Sequence, residues 1–541
     1  MEVVKNMKKK IVGIFMCILV IVTVVPAVES LNLYPSISGF AKIGTREEWT
    51  QIQNLIASDG SAWDQFGYSV SLDGDTALIG ARSDDDNGVD SGSAYVFIRN
   101  DNIWTQQAKL LASDGETGDD FGWTVDLSGD TALIGAYGSD DMGSSSGSAY
   151  IFTRTGTSWT QQAKLLASDG AERDHFGISV SLSVDTAIIG APLHDDNGND
   201  SGSAYVFIRT GTTWTQQAKL LAADGVVDDY FGTSVSIDGD NALIGATGDD
   251  GYKGSVYFFT HTGITWTQQQ KILASDGLPD DTFGSSVSLF KDTAIIGANN
   301  DDDKGEDSGS AYIFTCIGST WTQQAKLLAS DGATMDHFGH CTSLYNDTAI
   351  IGGFSPPAKT TSESSYVFKR IGTTWTQQAK LVAGSDNRFG QDVSVSGNTA
   401  LIGASRDEDK GSVYVFQGPN QPPNSPLING LTSGKPKIAY QWNFTTIDPD
   451  DDDVFYQINW GDGTPVSEWY GSYHSGDLMS QSHAYEYRGT YTIKAKAKDI
   501  YGVESDWAIL EVKMPRTYTS LVLGLFGRLP HAFQILRLFC A

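Results

Sequence analysis

Side chains able to bind a metal or move a proton recur along this chain at fixed intervals. Carboxylates gather in three stretches: Asp84 to Asp86 with Asp90, Asp195-Asp196 with Asp200, and Asp301 to Asp303 with Asp307, each wrapped around a glycine. Ca2+ is a hard cation that takes roughly six to eight oxygens, and a carboxylate-rich glycine turn can supply several. The candidate ligands are therefore Asp85, Asp86, Asp90, Asp195, Asp196, Asp200, Asp302, Asp303 and Asp307. Ca2+ is the one candidate cofactor; solvation and turn formation are the competing uses of the same residues. A second series, Asp64, Asp119, Asp174, Asp229, Asp281 and Asp336, stands two positions before a Phe-Gly pair, with Asn387 in the corresponding last place. A side chain repeated so evenly is expected to cap a local turn through backbone N–H groups. His340 and Cys341 suggest a thiol centre, but strand neighbours point to opposite faces. No phosphate loop, zinc spacing or haem motif is present, so no catalytic residue is assigned.

The elements that carry these residues are repeats. Phe66, Phe121, Phe176, Phe231, Phe283, Phe338 and Phe389 each precede a glycine and stand 55, 55, 55, 52, 55 and 51 residues apart. Trp49, Trp104, Trp159, Trp214, Trp266, Trp321 and Trp375 keep the same beat. Within one unit Phe121, Trp123, Val125 and Leu127 alternate with small or polar residues, which is strand periodicity. Ala132 to Ile134 form a continuous apolar run, as in a strand covered on both faces. Turn pairs such as Asp73-Gly74 and Ser128-Gly129 join the first two runs. Runs from Ala149 and Trp159 complete four antiparallel strands, and four strands per repeat predict a propeller blade.

Small residues on one parity of the Phe-Gly strand (Gly67, Ser69, Ser71) suit the crowded centre, and the lysine-bearing Trp strand suits the outer edge. The seventh unit, Phe389 to Phe416, then lacks an outer strand unless residues 49–55 supply it. We expect that clasp, because it removes exposed sheet edges.

Phe66-Gly67, Leu78-Ile79-Gly80-Ala81 and Ala94-Tyr95-Val96-Phe97, with their counterparts, resemble the FG-GAP repeat of integrin alpha-like propellers. Ile189-Gly190-Ala191-Pro192 carries the GAP literally. The resemblance implies an all-β fold, a seven-bladed β-propeller over 49–417, and a role in adhesion. The family often places a calcium loop between its first two strands. Here that connection shrinks to Leu72-Asp73-Gly74-Asp75-Thr76, which leaves no room for a cage, so no family metal site transfers to it.

Lys8 to Lys10, an uncharged Ile11 to Val25 and Pro26-Ala27 read as a secretory signal over 1–27, followed by a lead-in over 28–48. Gly418 to Pro426 is a proline-rich linker. Beyond it, Trp460-Gly461-Asp462-Gly463 and the run from His483 to Ile493 resemble a PKD-type module, which implies a small immunoglobulin-like β-sandwich over 427–514. Asp448 and Asp450 to Asp453 precede its central strand and read as a solvated acidic turn in preference to a calcium site. The apolar and basic tail, 515–541, is too broken to span a membrane and suits membrane contact or a sorting signal.

The chain holds 66 acidic and 36 basic residues, a net charge of -30, which argues against nucleic acid as a partner. Four cysteines make no disulfide framework; Cys316 and Cys341 are expected to be unpaired. Asn199, Asn346 and Asn443 open glycosylation triplets. Together these features give an exported, monomeric cell-surface protein, non-catalytic, that binds surface proteins or glycans. The alternative is an extracellular polysaccharide-acting hydrolase or lyase. Nearly identical blades without a long insertion weigh against it, and Gly353 to Ser364 is the one blade loop that departs in composition.

Overall fold

Alternation and turn chemistry shape each repeat in the computed structural model, which describes residues 48–100, 103–353, 363–383, 388–450 and 452–515. The expected signal, nearly all of the lead-in, most of the Gly353 to Ser364 loop, Asn387, Cys17, Cys540 and the tail beyond residue 515 lie outside the described residues. In the first blade the strands are Phe66–Asp73, Thr76–Ala81, Ser93–Asn100 and Ile103–Leu110, hydrogen-bonded in that order. The continuous apolar run Thr76–Ala81 is buried along its whole length, and the outer strand is only partly covered. The pattern repeats to give seven four-stranded antiparallel sheets. All seven inner strands line one central channel, which confirms the strand order inferred from residue size. Four of them begin at Phe-Gly as expected, but those of the second, third and sixth blades begin only at Val125, Ser179 and Cys341.

The Phe-Gly and Ile-Gly-Ala motifs exist because adjacent blades nearly touch there. Gly122 has φ +91, and a Cβ on it would meet the Ser93 carbonyl at 2.3 Å. A Cβ on Gly80 would stand 2.0 Å from the Gly122 carbonyl oxygen. Only glycine fits at either place. Phe121 is fully buried, packs edge-on against Tyr150 at 5.3 Å, and joins one core with Leu78, Ala94 and Val96 of the preceding blade. The cores thus lie between blades, so that each sheet depends on its neighbours.

The ring closes with the strand expected to close it. Thr50–Leu55 pairs antiparallel with Ser412–Gln417, with Leu55 opposite Val413 and a bulge between Gln51 and Gln53. Leu55 is 1% exposed, so the clasp is anchored by a core residue as well as by backbone bonds.

Two faces result. The connections from the second strand to the third and from the outer strand to the next blade lie on one, called here the loop face. The tight hairpins lie on the other. There Arg99 Nε donates to Asp75 at 2.6 Å and its Nη1 to Thr399 of the adjacent blade at 2.9 Å. Arg154, Arg209 and Arg370 repeat this clamp. Cys316, which pairs across from Trp321 as Arg99 pairs across from Trp104, interrupts the series.

The carboxy-terminal strands form a sandwich of two sheets. One holds Leu427–Gly430, Tyr440–Thr445 and Met479–His483; the other holds Tyr470–Tyr473, Val454–Asn459, Gly489–Asp499 and Ala508–Met514. Trp442 and Tyr485, both fully buried, centre its core, and His483 stacks on Trp460 at 4.6 Å while reaching Asp462 at 2.8 Å. Because Ser412–Gln417 runs toward the hairpin face, the chain leaves the propeller on that side. Thr293, Asp347 and Arg370 of the propeller line one cavity with Ile447, Asp448 and Pro449 of the sandwich. The loop face points away from it.

Candidate functional site

The carboxylate two positions before each Phe-Gly pair caps a turn, as expected. Asp64, Asp119, Asp174, Asp229, Asp281 and Asp336 each accept a hydrogen bond from the backbone N–H three residues earlier, at 2.6 to 2.8 Å.

The nine candidate calcium ligands divide into three uses. Asp85, Asp195 and Asp302 accept the N–H of Asp90, Asp200 and Asp307 at 2.8 to 2.9 Å and close the loop. Asp90, Asp200 and Asp307 hold left-handed backbone, with φ of 52 to 53. Asp86, Asp196 and Asp303 alone turn inward, and each meets a lysine. Within a loop, the three candidates do not converge on one point among the described residues.

The lysines are the members that sequence reasoning passed over as edge residues. Lys109 Nζ lies 2.9 Å from Asp59, 2.9 Å from Asp84 and 2.7 Å from Asp86, and 5.2 Å from the Tyr95 ring centroid. Lys326 repeats this with Asp276, Asp301 and Asp303. Lys164, Lys219, Lys271 and Lys380 hold the same place in their blades. Burial and then the Asp86 and Asp84 carboxylates act on Lys109 in opposite directions, and the carboxylates win, holding its pKa above the ordinary value. The ammonium stands where the inward carboxylates converge. The available signal was the lysine's recurrence five places after each of six tryptophans, matched to an aspartate two or three places before a Gly or Asp-Gly turn.

The symmetry breaks at the mouth of the channel on the loop face. The residue after Phe-Gly is Tyr68, Trp123, Ile178, Thr233, Ser285, His340 or Gln391 in successive blades. All seven line the channel, about 500 Å³ in volume. Tyr68, Trp123, Tyr137 and His175 form a continuous arc with ring centroids 4.8, 4.3 and 5.1 Å apart. The Arg82 guanidinium lies 4.5 Å from the Tyr68 ring and 4.7 Å from the Trp123 ring, and bonds Asp120 at 3.3 Å and Gln65 at 3.2 Å. Burial raises Asp120 to about 6, against the pull of Arg82. Deeper in the channel, burial raises Asp126 and Asp392 to about 6 although both accept backbone N–H bonds. Around the mouth, Trp63, Gln65, Arg173, His175, Asp228, Tyr230, Met335 and His337 all have positive φ. Such backbone costs about 1–3 kcal/mol per residue and concentrates where proteins bind ligands.

His340, half-buried at the channel mouth, and Cys341, buried beside it, are both held against charge. Burial lowers the imidazole to about 4 and pushes the thiol well up, and Cys341 Sγ donates to the Gly390 carbonyl at 3.2 Å. This is the opposite of a thiolate–imidazolium pair.

A different acidic group forms at the sandwich. Asp448, Asp450 and Asp452 are 2%, 6% and 6% exposed, and one carboxylate oxygen of each lies within 4.8 Å of the others. The solvated turn expected there is thus buried. Burial, reinforced by the neighbouring carboxylates, raises Asp448 to about 7 and Asp452 to about 8.

No curated protein matches this chain. Among solved structures it is similar to the PKD domain of an M14-like peptidase from Thermoplasmatales archaeon SCGC AB-540-F20, at 46% identity over 18% of this chain and 99% of that one, with a TM-score of 0.18. The family model described as the FG-GAP repeat matches residues 49–97, 104–152, 159–207, 214–259, 266–314, 321–368 and 375–416. Each of the seven matches begins in the outer strand of one sheet and runs through the first three strands of the next, and together they cover more than half of the chain, which therefore belongs to the FG-GAP repeat family, on a propeller scaffold of the binding and adhesion type.

Proposed function

We propose that this is an exported cell-surface protein that binds surface proteins or glycans through the loop face of its propeller, without catalysing a reaction. The observation that carries the reading is the concentration of blade-to-blade differences on that face. The strands scarcely vary, whereas Ser61-Ala62-Trp63, Glu116-Thr117-Gly118, Ala171-Glu172-Arg173, Val226-Val227-Asp228 and Leu278-Pro279-Asp280 occupy one loop position with unrelated chemistry. The Tyr68, Trp123 and Tyr137 arc offers aromatic faces for an apolar side chain or a sugar ring, and Arg82 with Asp120 offers directional hydrogen bonds beside them. The linker leaves from the opposite side, which suits a sandwich that spaces the disc from its anchor. The signal-like amino terminus supports export, and the apolar, basic tail supports membrane contact of a monomeric chain.

The test is a glycan array and a surface-protein screen with the full chain, followed by Trp123→Ala and Arg82→Ala. The expected result is stable binding weakened at least about tenfold by either change. Binding indifferent to both substitutions, or turnover of a polysaccharide without stable binding, would overturn it.

A further inference from the structure

Asp448, Asp450 and Asp452 sit at the start of the sandwich, next to the linker, on the far side of the molecule from the loop face. Their arrangement is half of a coordination shell. Asp448 Oδ1 accepts the N–H groups of Asp450 and Asp452, at 2.9 and 3.4 Å, so the chain curls around that carboxylate. Asp450 is fixed from the linker, its Oδ2 accepting the Gln421 N–H at 2.5 Å. Asp448 Oδ2 and Asp452 Oδ2 are sealed from solvent and have no hydrogen-bond partner, although both residues are more than nine-tenths buried. Asn420 Oδ1, one residue before Gln421, is buried and unpartnered as well, while its amide donates to Asp499 at 2.7 Å. Among the described residues no Lys, Arg or His lies within ion-pair distance of Asp448, Asp450 or Asp452, and Lys369 and Arg99 act on Asp450 and Asp452 only from farther away, whereas in the blade loops Asp86, Asp196 and Asp303 each meet a lysine directly.

Three carboxylates buried together with no cation in contact are strongly unfavourable unless one joins them. We infer that Asp448, Asp450 and Asp452 hold a divalent calcium ion between the linker and the sandwich. The donors are all oxygen, which excludes the nitrogen and sulfur preferences of zinc. Ligands at Ca–O distances of about 2.4 Å stand at most ~4.8 Å from each other, and the three carboxylates meet that limit. The loosely spaced set suits the flexible shell of Ca2+ better than the tight octahedron of Mg2+, with water completing the coordination. Bound there, the ion ties Asp450, which holds linker residue Gln421, to Asp448, whose loop shares a cavity with propeller residues Thr293 and Asp347. It would therefore stiffen the joint between disc and spacer. The inference is independent of what the loop face binds.

The full chain, stripped with chelator, is titrated with CaCl2 by calorimetry, with MgCl2 as the comparison and melting followed in parallel. We expect one equivalent of Ca2+, at least about tenfold preference over Mg2+, and a calcium-dependent rise of ~4 °C or more in the melting of the sandwich. Asp448→Asn with Asp452→Asn should abolish both effects and should raise the melting temperature in chelator, because it removes the buried charges. Asp86→Asn with Asp303→Asn, in the blade loops, should leave the titration unchanged. Absence of binding by the folded wild-type chain, equal affinity for Mg2+, or a calcium equivalent that survives the Asp448 and Asp452 changes would each overturn the assignment.

Discussion

Lys109 Nζ lies 2.9 Å from Asp84, a carboxylate that is 3% exposed, and among the described residues no other cation pairs with it. In the second blade the corresponding buried residue is Ser139, so Lys164 faces only the more exposed Asp114 and Asp141. The same lysine therefore neutralises a buried charge in one blade and joins surface ion pairs in the next. Lys109→Met should cost about 3 kcal/mol, the cost of stranding a buried carboxylate. Lys164→Met should cost about 1 kcal/mol or less. Denaturant melts of the two variants check the difference, and adding Asp84→Asn to Lys109→Met should recover part of the loss.

Removal of residues up to Leu55 should open the ring. The Ser412–Gln417 edge would be left bare, and the truncated chain should lose cooperativity and self-associate, as read by light scattering during melting. The milder Leu55→Ala should cost about 2–4 kcal/mol without the loss of cooperativity or the self-association.

The glycine motifs make an internal comparison possible. Gly122→Ala places a methyl group against the Ser93 carbonyl at φ +91, and should destabilise by more than ~2 kcal/mol in thermal melts. Gly74→Ala has φ +54 with nothing within 4 Å, so its cost should stay near ~1 kcal/mol.

Two sets of carboxylates give opposite pH dependence. For Asp59, Asp169, Asp224, Asp276 and Asp331 burial pulls upward, but the bonds from the blade lysine and tyrosine outweigh it and lower each pKa. Their contribution is present above the unfolded value of about 3.8 and lost as pH falls through the lowered folded values. Asp120, Asp126 and Asp392 are raised to about 6, so between pH about 4 and 6 the folded state binds more protons than the unfolded, and stability falls as pH rises. Calorimetry across pH should show the melting temperature rising from pH 7 toward 5 and dropping below about 3.5. Asp392→Ala should flatten the upper limb and leave the acid limb unchanged.

The primary structure alone determined the periodic part of this protein. Phe-Gly spacing, two-residue alternation and Asp-Gly turns are local or repeated, so the seven blades, their strand order and the clasp at residues 49–55 could be read without coordinates. The turn-capping role of Asp64 and its equivalents was equally accessible, because its partner is three residues away. The chemistry of the acidic loops was not. Lys109 lies 23 residues from Asp86 and 50 from Asp59, and only the folded blade brings the ammonium to the point the carboxylates share. Burial is likewise a property of packing. Asp448, Asp450 and Asp452 look like a hydrated turn in one dimension, and only the packed sandwich and its linker seal their oxygens from water. The aromatic arc arises the same way, since Tyr68, Trp123 and Tyr137 come from two neighbouring blades and become one surface when the ring closes.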